Sequence, residues 1–95
     1  MKKIKYEEVF NALSDSNRLK ILLIINKGGE VCACKILEQL SITQPTLVYH
    51  MKTLLDAGLV TCYKRGTWCF YKIEKEMFLQ IIDFLDDFKL IERVK

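Results

Sequence analysis

Four cysteines, at positions 32, 34, 62 and 69, are the side chains of this 95-residue chain best suited to reactive chemistry. Thiolates are nucleophiles and bind soft ions, so close pairs of them deserve a geometric reading. Cys32 and Cys34 flank a single alanine. Two side chains so spaced stand about 200° apart around a regular helix but on one side of an extended segment. The two thiols therefore converge only where the chain is still extended or the start of the following helix unwinds. Cys62 and Cys69 flank Arg65-Gly66 within a run of strand-formers. A two-residue loop at Arg65-Gly66 predicts that Lys64 pairs with Thr67, Tyr63 with Trp68 and Cys62 with Cys69. Directly opposed Cβ atoms lie about 4.5–5.5 Å apart. That pair could hold a soft ion or form a strained disulfide, or it could simply be two small apolar residues on the core face of a hairpin. A thiol oxidoreductase would ordinarily place Cys-x-x-Cys beside a βαβ pattern. The spacing here is Cys-x-Cys, no βαβ pattern is present and no general base is apparent, so no enzyme is expected.

The second chemistry is recognition. In Ser41–Val60, Thr43 is a good N-cap, Pro45 falls in a first turn that needs no N–H, and Ala57-Gly58 ends the helix. Leu47, Met51, Leu54 and Leu55 form one apolar face. Gln44, Thr46, Tyr49, Lys52 and Thr53 form a polar face poor in acids, as a helix entering a DNA groove requires. An ordinary amphipathic surface helix has the same pattern, so its neighbours decide. Upstream, Ile36, Leu37 and Leu40 suit a short helix ending near Ser41, and Ser41-Ile42-Thr43 makes a tight turn: a helix-turn-helix unit. Downstream, Leu59–Ile73 reads as a β-hairpin with Lys64, Arg65 and Thr67 at its tip. A basic hairpin after a recognition helix is a wing.

Other elements frame this unit. Tyr6, Val9, Phe10 and Leu13 lie on one stripe of a first helix over residues 5–13. After Ser14-Asp15-Ser16, a second helix running to about Asn26 is apolar nearly all round and is expected to be the buried central helix. A last helix from Glu74 to about Ile91 carries Phe78, Ile81, Ile82, Leu85 and Phe88. The expected fold is mainly α with a small β-hairpin wing, a winged helix-turn-helix of five helices in a single domain over residues 1–95. Apolar stripes at both ends of so short a chain predict a homodimer through the first and last helices.

The net charge is +3 and the apolar content 51%. Residues 41–73 carry Lys52, Lys64, Arg65 and Lys72 against Asp56 alone, whereas residues 74–95 are net acidic. The positive excess on the helix-turn-helix and wing favours an anionic partner. No apolar run of 18 residues predicts a membrane span, and MKKIKYEE lacks a signal-peptide core. A cytoplasmic protein is expected, and there cysteines are thiols, ligands or sensors more often than structural disulfides.

FNALSDSNRLKILLIIN, EVCAC, TQPTLVYHMKTLLDAGLV and KRGTWCFYKI together, over roughly residues 9–73, resemble the ArsR/SmtB family of winged-helix repressors. The resemblance implies a cytoplasmic homodimer on double-stranded operator DNA that leaves it when a metal, metalloid or oxidant reaches a sensor site. It places DNA-facing positions on Gln44, Thr46, Val48, Tyr49 and His50. Val48 and Tyr49 stand where the pattern has a serine and an arginine; Val48 could touch a thymine methyl and Tyr49 a phosphate. Gln44 could pair bidentately with adenine. His50, the sole histidine, suits helix packing or a phosphate better than a metal. Lys52, Lys64 and Arg65 are expected on phosphates, beside Thr53. EVCACK matches the family's metal box ELCVCD and makes Cys32 and Cys34 the candidate sensor. Lys35 replaces its aspartate, and Leu37 stands where some arsenic sensors carry a third cysteine. No cofactor is required; a soft ion such as arsenite or cadmium at Cys32 and Cys34, with Cys62 and Cys69 as a weaker candidate site, or thiol oxidation, is the expected inducer. The alternative is a constitutive winged-helix DNA-binding regulator whose cysteines do not sense.

Overall fold

A computed structural model of the chain describes residues 3–89. Helix α1 spans Tyr6–Leu13 and α2 spans Ser16–Gly28. The break between them is set by Asp15, whose carboxylate caps α2 by accepting from the N–H groups of Asn17 and Arg18 at 2.9 and 3.1 Å. Strand β1 (Glu30–Cys32) leads directly into α3 (Ala33–Glu38). Five residues then connect to α4 (Gln44–Asp56). Strands β2 (Val60–Arg65) and β3 (Trp68–Ile73) form the hairpin, and α5 covers Lys75–Asp86. Five helices and a small antiparallel sheet make a winged helix-turn-helix. No helix among the described residues is long and apolar enough to cross a membrane.

The wing is larger than the sequence predicts. Glu30–Cys32 pairs with β3, with Val31 opposite Tyr71 and Cys32 opposite Phe70, so β3 is the middle of three strands. Three residues are too few to show an alternating pattern, and only the pairing reveals them as a strand. The hairpin register also differs. The loop is Gly66-Thr67; Arg65 pairs with Trp68, Lys64 with Cys69, Tyr63 with Phe70 and Cys62 with Tyr71. Gly66 takes φ +66°, and no non-glycine among the described residues has positive φ. That is the sign pattern of a II′ turn, which needs glycine at its first central position and matches the twist of the strands. The expected loop would have put Arg65 there instead.

The core lies between α2, α3, α4 and the inner face of the sheet, with Ile21, Ile25, Ile36, Leu54 and Leu59 fully buried. On α4, Leu47, Met51 and Leu54 are buried and Leu55 is half-buried, as expected. Helix α2 departs from the all-round burial expected of it: Ile21, Leu22 and Ile25 are buried, but Leu19 is 45% and Leu23 68% exposed. These leucines, with Phe78 and Leu79, line an apolar groove of about 640 Å³. At the other end of α5, Phe84 stacks on Tyr6 of α1 at 4.2 Å between ring centroids. Helices α1 and α5 therefore already touch within one chain, while Ile82, Leu85 and Phe88 remain exposed. The helix expected from Glu74 to about Ile91 ends at Asp86, with Asp87 and Phe88 in a turn; positions 90 and 91 lie outside the described residues.

Candidate nucleic-acid interface and thiol pairs

Helix α4 begins as its sequence requires. Thr43 Oγ1 accepts from the Thr46 N–H at 3.3 Å and donates to Thr46 Oγ1 at 2.9 Å. Thr46 is consequently half-buried with its hydroxyl engaged in the cap. Gln44, Val48, Tyr49 and Lys52 face outward, Val48 and Tyr49 being more than 60% exposed. Lys52 pairs with Asp56 at 3.1 Å, but both side chains are exposed. An exposed ion pair of that kind is weak. Thr53 is half-buried and donates to the Tyr49 carbonyl at 3.2 Å.

His50 does not belong to this outward set. It is 6% exposed, and its Nδ1 lies 3.1 Å from Nη1 of Arg18, itself 8% exposed. Arg18 Nε donates to the Ala12 carbonyl at 2.7 Å and Nη2 to that of Asn11 at 3.3 Å. Because guanidinium only donates, His50 Nδ1 must accept, which leaves the ring proton on Nε2, 3.8 Å from the Asp15 carboxylate. The packing alternative is thus the one this histidine takes, and a direct phosphate contact is not open to it. Arg18 and Asp15 therefore tie the α1–α2 corner to the reading helix. Periodicity cannot find such a link, because Arg18 reads as an ordinary charge in an apolar run. The bond from the Arg18 backbone N–H, aided by the Arg18 charge, holds the Asp15 carboxyl below the usual aspartate range against a desolvation penalty.

The wing presents two faces. Lys64 shares the inner-facing side with Cys62, Cys69 and Tyr71 and is exposed near the tip. Arg65 lies on the other side and is held back from the tip. It donates to Glu30 at 3.1 Å and to the Tyr63 hydroxyl at 3.0 Å, and lies over the Tyr63 and Phe70 rings at 5.5 and 5.0 Å. Arg65 thus braces β1 against the hairpin while staying largely exposed.

All four cysteines are free thiols. Cys32 is extended (φ −70°, ψ 145°) and caps α3, accepting from the Cys34 N–H at 3.4 Å. Its extended backbone turns its thiol toward that of Cys34, and the two Sγ atoms lie 2.8 Å apart. The Cys34 S–H pulls the Cys32 thiol below its ordinary range, aided by the backbone N–H groups of Cys34 and Lys35 and the Lys35 charge. The same bond raises Cys34. The Lys35 charge therefore favours the thiolate form of Cys32 over that of Cys34. The second pair, Cys62 and Cys69, has its Sγ atoms 3.5 Å apart. They are not opposite each other but diagonal, since Cys62 faces Tyr71 and Cys69 faces Lys64. Burial raises the Cys62 thiol, with Cys69 adding to the effect. Among the described residues, no group of three or more His, Cys, Asp or Glu side chains is arranged to hold a metal ion.

The family description "bacterial regulatory protein, arsR family" matches residues 15–61. An uncharacterized HTH-type transcriptional regulator of Methanocaldococcus jannaschii is 41% identical over 87% of this chain and 97% of its own length. The arsenical resistance operon repressor of Bacillus subtilis is 43% identical over 76% of this chain and 69% of its own. Among solved structures, an ArsR family transcriptional regulator superposes with a TM-score of 0.86 at 22% identity, covering 95% of this chain and 92% of that one. A homodimeric winged helix-turn-helix DNA-binding domain of Mycobacterium bovis gives 0.71 at 24% identity, over 88% of this chain and 77% of that one.

Proposed function

This chain belongs to the arsR family of bacterial regulatory proteins, and from that premise we propose a homodimeric repressor that leaves its operator when Cys32 and Cys34 are captured. Members of the family are DNA-binding transcriptional regulators and not enzymes. The proposal covers residues 1–95 as one cytoplasmic winged helix-turn-helix domain on double-stranded DNA. Gln44, Val48, Tyr49 and Lys52 reach into or beside the major groove. Thr46 and Thr53 support them from the helix flanks, and Lys64 and Arg65 meet phosphates from the wing. Val48 and Tyr49 offer a methyl contact and one hydroxyl, so Gln44 is the outward α4 residue best placed for bidentate base readout.

The observation that carries the sensor reading is the convergence of two thiols, 2.8 Å apart, on the first turn of the first helix of the helix-turn-helix. Two soft donors with no third ligand fit a thiophilic ion such as trivalent arsenic or cadmium, and do not fit a closed four-ligand zinc site. The bound ion supplies one centre that both sulfurs share. The chain supplies the linkage: Cys32 is at once a thiol of the pair, the N-cap of α3 and the end of β1. Redirecting its Sγ withdraws the cap and disturbs the junction from which α3 and α4 hang. A hundredfold loss of operator affinity requires about 2.7 kcal/mol of preference for the released state. The B. subtilis relative's name, an arsenical resistance repressor, is consistent with this ligand class.

The test is a titration of labelled operator with arsenite, cadmium or peroxide. Release of wild type and loss of response in Cys32→Ser/Cys34→Ser supports the reading. An unaltered response in that variant removes the sensor assignment, and no response in wild type leaves a constitutive regulator.

A further inference from the structure

We propose that Cys62 and Cys69 form a second, independent capture site in the wing, for a trivalent arsenical that offers two valences to thiols and keeps a non-protein substituent on the third. The binding claim does not rest on the repressor reading above.

The register is what makes the site. With Cys62 opposite Tyr71 and Cys69 opposite Lys64, the two thiols sit on the same face one step apart along the hairpin. Diagonal positions in an antiparallel pair have Cα atoms roughly 7–8 Å apart. A disulfide spans at most about 6.8 Å without moving the backbone. The pair is therefore poorly placed to oxidise to a direct bond, although its sulfurs meet at 3.5 Å. Two bonds of about 2.3 Å, as soft ions make to thiolate, subtend roughly 100° across that gap. This is the angle of a pyramidal centre. A linear two-coordinate ion would need sulfurs about 4.6 Å apart, twice the same bond length. A tetrahedral ion would need two more ligands, and the described residues offer no group of three.

Access and surroundings favour a substituted ligand. Cys62 is exposed and Cys69 half-buried. Cys69 also lines a cleft of about 330 Å³ between α3, α4 and the wing, whose wall includes Val48, Trp68 and Tyr71 and, on the α3 side, Cys32 and Cys34. A substituent on the captured centre has this mostly apolar space beside it. Lys64 stands opposite Cys69 on the same face, and its charge only partly offsets the desolvation that raises the Cys62 thiol. Capture is redox-neutral: with phenylarsine oxide, two S–H bonds and one As=O bond are exchanged for two As–S bonds, and one water leaves with both thiol protons and the oxygen.

The probe is phenylarsine oxide, and the readout is intact-mass spectrometry of the full chain. Cys32→Ser/Cys34→Ser retains the uptake of one equivalent, and adding the exposed-site change Cys62→Ser abolishes it. In wild type the arsenical shields Cys62 and Cys69 together from iodoacetamide, read by peptide mapping with no substitution. The proposal is overturned if Cys32→Ser/Cys34→Ser takes up nothing, or if its uptake survives Cys62→Ser. Capture by the wing while Cys32→Ser/Cys34→Ser responds like wild type on operator would uphold this site and sink only the sensor assignment.

Discussion

At the scale of single residues, the two cysteine pairs differ in readiness although both have close sulfurs. Cys32 is pulled down by the thiol of Cys34 and by backbone N–H groups, whereas Cys62 is pushed up by burial. A lowered thiol pKa means thiolate at lower pH, so iodoacetamide should alkylate Cys32 with a midpoint below that of a free thiol and Cys62 with one above it. Cys34→Ala should move the Cys32 midpoint upward by removing the S–H that stabilises its thiolate; peptide-resolved alkylation rates against pH check both. Asp15 gives a stability counterpart. Its folded-state pKa is depressed, so its contribution is present above the ordinary aspartate range and is lost as pH falls through the depressed value. Asp15→Ala should cost about 1 kcal/mol at neutral pH. That deficit should narrow only as pH falls below the ordinary aspartate range, through the depressed folded-state value; denaturant melts at neutral and at strongly acid pH would show it. The cap itself was legible, since Ser-Asp-Ser before an apolar run announces a helix start. The partners of Asp15 were not, because Arg18 and His50 are 32 residues apart and meet only through folding.

Among elements, the reading helix and the wing depend on different physics. Helix α4 is set by local signals, namely a threonine cap, Pro45 and an apolar stripe, and these were readable in advance. Its orientation is set by Arg18 and His50. His50→Ala should weaken binding to every DNA sequence without changing its salt dependence, because it removes a brace and no phosphate contact. It should also destabilise the fold by roughly 1–3 kcal/mol by leaving an Arg18 donor unpaired in the interior. Lys64→Ala should instead weaken all sequences and reduce the steepness of the salt dependence by about one phosphate's worth. Binding isotherms across a salt series separate the two classes. The wing was only partly legible. Its existence, strand-formers and basic tip could be read, but its loop is one residue displaced from the expected one. That shift moves each residue's partner by two positions, and a shift of two keeps every side chain on its face. Cys62 and Cys69 accordingly remain neighbours as expected, but as a diagonal pair. The third strand escaped notice because Glu-Val-Cys has no pattern of its own and is a strand only because β3 offers it an edge.

For the whole molecule, the exposed apolar residues of α2 and α5 are the feature a monomer does not explain. Leu23, Leu79, Ile82 and Leu85, with Phe88 just beyond α5, are each more than half exposed. A second copy covering α1 and α5 is the arrangement proposed, and a homodimeric structural relative shares the fold. Ile82→Glu should shift the sedimentation coefficient from dimer to monomer and weaken operator binding, whereas a wild-type monomer mass at all concentrations would contradict the dimer. The charge distribution is consistent with this arrangement, with cations in excess over residues 41–73 and acids in excess over residues 74–95. The central claim links the two ends of the short path from Cys32 through α3 to α4. Its most direct measurement is fluorescence anisotropy of labelled operator with stoichiometric protein, titrated with arsenite, for wild type beside Cys32→Ser/Cys34→Ser. The account predicts release of the wild-type complex and an unresponsive double variant that still binds operator; equal release from both would contradict it.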